Sequence, residues 1–142
     1  MPALCDVNAL LAICYSEHVH HKPALAWLNN IAEPAEVVVC RISQLSVLRL
    51  LTTSVVMFNQ PLDMDGAWRT YDQIMADERF AFHIEPIRLE ATLRQLTPAK
   101  FKSPKLWQDA YLAAFAICAG LQFVTFDAGF RQYKKLDLIL LA

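Results

Sequence analysis

Glycine is scarce in this chain, three among 142 residues, and the scarcity removes several function classes at once. Neither a GxxxxGK[ST] phosphate loop nor a GxGxxG dinucleotide turn can be written from Gly66, Gly120 and Gly129. A GxSxG nucleophile elbow is missing too. Cys5, Cys14, Cys40 and Cys118 form no CxxC pair and no CxxC–HxxxH pattern, so no zinc framework is indicated. They read as small buried hydrophobes of a reducing compartment. Charge of one sign is not in excess: the formal net charge is −1, so no chain-wide field draws the protein onto nucleic acid. No stretch reaches the roughly 18 uncharged apolar residues of a membrane helix. Asp6 also interrupts the N-terminus before the apolar core of a signal peptide could form. A cytoplasmic protein with no membrane part is expected.

What remains is an apolar composition (56% hydrophobic), enough for one domain over residues 1–142 with a sizeable core. Disorder, internal repeats and linkers are not in view. Short apolar runs at Ala3–Cys5, Val37–Cys40, Phe80–Ile84, Leu121–Thr125 and Asp137–Leu141 alternate with segments of helical period. The helices are expected from Val7, from about His20 to Ile31, over Ile42–Thr53, from Asp65 to about Asp77, from Pro86 to about Leu96, and from an opening at Ser103-Pro104 to a stop at Gly120. Trp68, Tyr71, Ile74 and Met75 are read as the inner face of the fourth. The tryptophans and phenylalanines fall at core spacing, so no base-stacking platform is read from them. Strands separated by helices predict crossover connections and a mostly parallel sheet covered on both faces. Ligands in such folds bind beyond the C-terminal ends of the strands.

The segment WQDAYLAAFAICAGLQFVTFD (Trp107–Asp127) concentrates the chemistry. Asp109 lies three residues after Leu106 and four before Ala113, on the packing side of its helix, where a carboxylate needs a partner, a network or a metal. Asp127 follows the strand Leu121–Thr125, as Asp6 follows the first strand. Each acid also has a plain structural reading, Asp6 as a helix N-cap and Asp127 as a turn former beside Gly129. Together they form a set of carboxylates at one pole of the sheet, which a divalent cation would compensate. Hard oxygen ligands favour Mg²⁺ or Mn²⁺ over zinc, since no His or Cys pair lies near these acids in sequence. Between Thr97 and Lys135 six basic residues (Lys100, Lys102, Lys105, Arg131, Lys134, Lys135) accompany only Asp109 and Asp127. That local balance suits a polyanion met through bound cations, although a solvated lysine surface is the simpler reading. His18, His20 and His21 read as a solvated helix start and His83 as an edge or core residue.

The segments DVNALLA (Asp6–Ala12), RISQLSVLRLLT (Arg41–Thr52), DAYLAAFA (Asp109–Ala116) and VTFDAGF (Val124–Phe130) occur in the order and spacing of a known family. By these the chain resembles PIN-domain proteins, and specifically the VapC toxins of VapBC toxin–antitoxin pairs, over essentially its whole length. The resemblance implies a three-layer α/β/α sandwich around a mostly parallel sheet of about five strands. It also implies a Mg²⁺- or Mn²⁺-dependent endoribonuclease acting on tRNA, rRNA or mRNA, a homodimer, and neutralisation by a cognate VapB-type antitoxin. Carried over residue by residue, Asp6, Asp109 and Asp127 match three metal-site acids. Thr125 matches a hydroxyl residue that orients a ligand or water, and Asn8 is placed to hydrogen-bond among the acids. The second acid of the pattern is absent: Gln44 stands where many relatives have Glu, removing one negative charge and weakening metal binding. Glu90 is a substitute that nothing in its helix directs to the site. Arg49, Lys102 and Lys105 are candidate RNA contacts, Arg49 equally a structural partner of an acid. The alternative is a PIN module that binds RNA or a protein without cutting. Phosphotransfer folds fit less well: a haloacid-dehalogenase-like site needs an acid where Asn8 stands, and a receiver-like site a lysine where Asp127 stands.

Overall fold

The computed structural model describes residues 1–100 and 102–142. Among them, five strands, β1 (Ala3–Cys5), β2 (Val37–Val39), β3 (Phe80–Phe82), β4 (Gln122–Thr125) and β5 (Asp137–Leu140), form one sheet in the order β3-β2-β1-β4-β5. Every neighbouring pair is parallel, with Leu4 opposite both Val38 and Phe123. The helices are α1 (Val7–Cys14), α2 (His21–Asn29), α3 (Arg41–Leu51), α4 (Met64–Met75), α5 (Leu89–Leu96) and α6 (Leu106–Ala119). A 3-10 helix, Ala128–Gln132, follows β4.

Alternation along the strands explains the layering. Ala3, Cys5, Val37, Val39 and Val124 face a core with α1 to α4, whereas Leu4, Val38 and Phe123 face the opposite core with α5 and α6. Val37, Val38 and Val39 are wholly buried, as a strand covered on both faces must be. α6 packs tightly because its inner side is small: Ala110, Ala113, Ala114 and Ala116 are all buried. Gly120 ends α6 at φ 67°, and the chain closes a Schellman turn with Leu121 N–H donating to Ala116 O at 2.9 Å.

Several expectations need correcting. β3 ends at Phe82, and Ile84 is exposed. α5 starts at Leu89 rather than at Pro86, which sits in the preceding turn. Trp68 is not on the inner face of α4: it is 46% exposed, while Gly66, Ala67 and Tyr71 are buried. Trp107 and Phe58 are likewise exposed, so core spacing overstated the burial of the aromatics. All four cysteines are free. Among the described residues, no helix is long and apolar enough to cross a membrane.

Candidate metal centre

The strand order places β2 and β3 on one side of β1, and β4 and β5 on the other. The chain therefore reverses its direction of travel between β1 and β4, and crossovers leave this point in opposite directions. That is the crevice where parallel α/β sheets bind ligands. Asp6 follows β1 and Asp127 lies two residues beyond the end of β4, so the two acids flank the switch point. The first turn of α6 adds Asp109.

Asp6 is buried, 6% exposed, and both carboxylate oxygens are engaged. Oδ1 accepts from the Val7 N–H at 2.8 Å, so the N-cap reading holds. Oδ2 accepts from the Thr125 hydroxyl at 2.6 Å. Thr125 is fully buried, and its hydroxyl oxygen accepts from the Asp127 N–H at 2.9 Å. One threonine thus ties the acid after β1 to the backbone of the acid after β4. Asp127 accepts from the Gly129 N–H at 2.7 Å, which starts the 3-10 helix, so its turn-forming reading holds too.

Electrostatics join the acids further. Burial pushes the Asp6 carboxyl up to about 6 against the pull of its two hydrogen bonds, and the charges of Asp109 and Asp127 add to the rise. Asp109, half-buried, is raised by burial and then by Asp127. Among the described residues none of the three forms an ion pair. Nor are any three His, Cys, Asp or Glu side chains among them gathered closely enough to hold an ion as they stand. The donor set itself, all carboxylate oxygen without sulfur or imidazole, suits a hard divalent cation.

Sequence reading missed Tyr133, which is 5% exposed, its hydroxyl buried and without a hydrogen-bond partner among the described residues. Burial pushes its phenol up to about 12, with Asp109 and Asp127 adding to the rise. It follows an irregular turn, where no periodicity could have singled it out.

The remaining candidates have surroundings of their own. The Gln44 side chain is buried, and its carbonyl accepts from Arg41 Nη1. Arg41 in turn lies over the Phe82 ring at 4.7 Å. Asn8 is exposed and lines a cleft with Leu11, Tyr15 and Phe58, with no hydrogen bond to the acids. Arg49 is exposed beside Leu45, Thr52 and Trp68, away from the sheet pole. Glu90 pairs with Arg94 in solvent, which removes it as a fourth acid. Lys102 and Lys105 are exposed just ahead of α6. His20 is only partly solvated, stacked on Phe126 at 4.4 Å beside Asp127, and His21 meets Ala12 O at 2.7 Å. His83 is half-buried in the cleft between Arg41 and Tyr111.

The family model of the PIN domain matches residues 3–136. The chain is 43% identical to Ribonuclease VapC41 of Mycobacterium tuberculosis over 143 aligned positions, covering 98% of each. Its fold resembles VapBC2 from Rickettsia felis, solved bound to a DNA fragment from their promoter, with TM-score 0.75, 12% identity and all of both chains covered. It also resembles Mycobacterium tuberculosis VapC20, a sarcin-ricin loop cleaving toxin, with TM-score 0.66 and 13% identity over 95% of this chain and 97% of the other.

Proposed function

The chain belongs to the PIN domain family, among its VapC ribonucleases, and from that premise we propose a Mg²⁺- or Mn²⁺-dependent endoribonuclease toxin with a VapB-type antitoxin as partner. The observation that carries the proposal is a set of three carboxylates at the switch point of a parallel sheet, each without an ion-pair partner among the described residues. Asp6, Asp109 and Asp127 would hold the cation. When bound, it supplies charge neutralisation at the phosphate and a water of lowered pKa.

The chain's own residues do the positioning. Thr125 fixes the Asp6 carboxylate through its 2.6 Å bond and holds the Asp127 backbone, so these two acids need little reorganisation on loading. Lys102 and Lys105 are exposed ahead of the helix that carries Asp109, and they serve as contacts to the RNA backbone. The antitoxin neutralises the site by setting a cationic side chain against the acids, and the toxin acts as a homodimer. The Gln44 carbonyl, where many relatives have a Glu carboxylate, is engaged by Arg41.

The test is incubation of the purified chain with total RNA in Mg²⁺ or Mn²⁺, and again with a chelator. Discrete cuts are expected only with the cation. RNA retained but uncut in every condition would replace the nuclease by the binding-module reading.

A further inference from the structure

We propose that Trp107 is a base-stacking residue for RNA, its indole taking a nucleobase of the strand whose phosphate is presented to the acids. The inference rests on the ribonuclease reading above and adds a residue that holds the substrate by its bases rather than by its backbone.

The indole is 64% exposed, although tryptophan carries one of the largest apolar bodies to bury. It is not an isolated apolar residue on a polar surface. One open hollow beside it is lined by Thr97, Lys102, Pro104 and Leu106, and another by Leu93 and Arg94, so the indole is a wall common to both. Its distance from the acids is set by the helix that carries it. Trp107 is the second residue of α6 and Asp109 the fourth, so both leave its first turn, about 3 Å apart along the axis and on opposite sides. A strand crossing that turn with a phosphate at Asp109 carries a neighbouring base past the indole. This placement follows from the helix alone and asks for no movement of either residue.

Charge selects the occupant. Lys102 shares the first hollow, Arg94 lines the second, and exposed Lys105 stands two residues before Trp107. Glu90, the acid beside Arg94, is already paired with it at 3.1 Å. A flat apolar plate set among cations matches a polyanion that carries flat apolar faces, which is single-stranded RNA. The two parts of such a contact separate under salt. Lysines bind by releasing counterions and set the salt slope, whereas stacking adds affinity without changing that slope.

The experiment titrates a labelled single-stranded RNA oligomer of mixed sequence, and an abasic oligomer of the same length, with the natural chain, Trp107→Leu and Trp107→Phe. A chelator prevents cutting, salt is varied, and unfolding curves are taken for all three proteins. Leucine keeps an apolar contact to α5 but removes the plate, and phenylalanine keeps a plate. Trp107→Leu is expected to bind the base-bearing oligomer about tenfold more weakly with an unchanged salt slope, to bind the abasic oligomer as the natural chain does, and Trp107→Phe to retain most of the affinity. Unchanged affinity of Trp107→Leu for the base-bearing oligomer would overturn the proposal and leave the indole to a protein partner. Equal losses for the two oligomers would also overturn it, since the indole would then act on the backbone or on the fold. Failure of the natural chain to bind either oligomer would instead overturn the RNA reading, and this inference with it.

Discussion

Thr125 is the residue on which the geometry of the acid pole turns. Its hydroxyl donates to Asp6 and accepts from the Asp127 N–H, and no other side chain type of that size does both in a fully buried strand. Thr125→Val keeps the shape and removes both bonds, stranding a buried carboxylate oxygen. A loss of about 2 kcal/mol in unfolding free energy is expected, with cleavage falling at least tenfold, while Thr125→Ser retains most of both. Equal loss in the two variants would assign the effect to the methyl group instead. Asp6 carries the pH dependence. Its folded-state carboxyl titrates near 6, above the ordinary value of 3.8, so the native state binds the proton more tightly than the unfolded one. Stability therefore falls as pH rises from about 4 to about 6, by roughly 3 kcal/mol from this group at full effect. The raised Asp109 adds in the same direction. Cation-free protein is expected to unfold at higher urea at pH 4.5 than at pH 7, and Mn²⁺ to restore the difference at pH 7 only. A midpoint that rises with pH across this window would contradict the assignment.

At the scale of the element, α6 and its two ends decide how the site is presented. Gly120 stops the helix in a left-handed conformation and turns the chain directly into β4, which ends at Thr125. Nothing lies within 4 Å of a side chain added there, so Gly120→Ala has only the backbone cost of positive φ. About 1 kcal/mol and a few degrees of melting temperature are expected, without loss of cleavage. At the other end, Lys102→Ala and Lys105→Ala are expected to weaken RNA binding and to lower the salt slope by about one each. Unchanged affinity and slope in both would remove this segment from the RNA path. The elements themselves were legible in the sequence wherever one strong signal acted: continuous Val37–Val39 for a buried strand, and Gly120 for a helix end. Depth was less legible. Trp68 falls on the expected helical stripe yet stands partly in solvent against Tyr71, because period gives direction but not what covers it. Tyr133 was invisible for the converse reason, since a 3-10 turn sets no long period.

The whole molecule brings together residues far apart in sequence, and this sets what sequence could foresee of the site. Asp6 and Thr125 are 119 positions apart and hydrogen-bonded, a contact that exists only because β1 and β4 are neighbours in the sheet. The convergence of Asp6, Asp109 and Asp127 was foreseeable from strand ends and parallel topology. The surroundings of Gln44, Arg49 and Asn8 were not: each helix position faces a direction that only packing against other elements reveals. Gln44 bonds within α3, Arg49 lies beside α4, and Asn8 faces a cleft. The proposed centre is therefore smaller than the sequence pattern, three acids with Thr125 between two of them. Its most direct test is cleavage of a mixed tRNA and ribosomal RNA pool in Mn²⁺ by the natural chain and by Asp109→Asn, with unfolding curves to show that both are folded. Cuts by the natural chain that are lost in a folded Asp109→Asn variant are the expected result. Undiminished cleavage by that variant would contradict the acid centre.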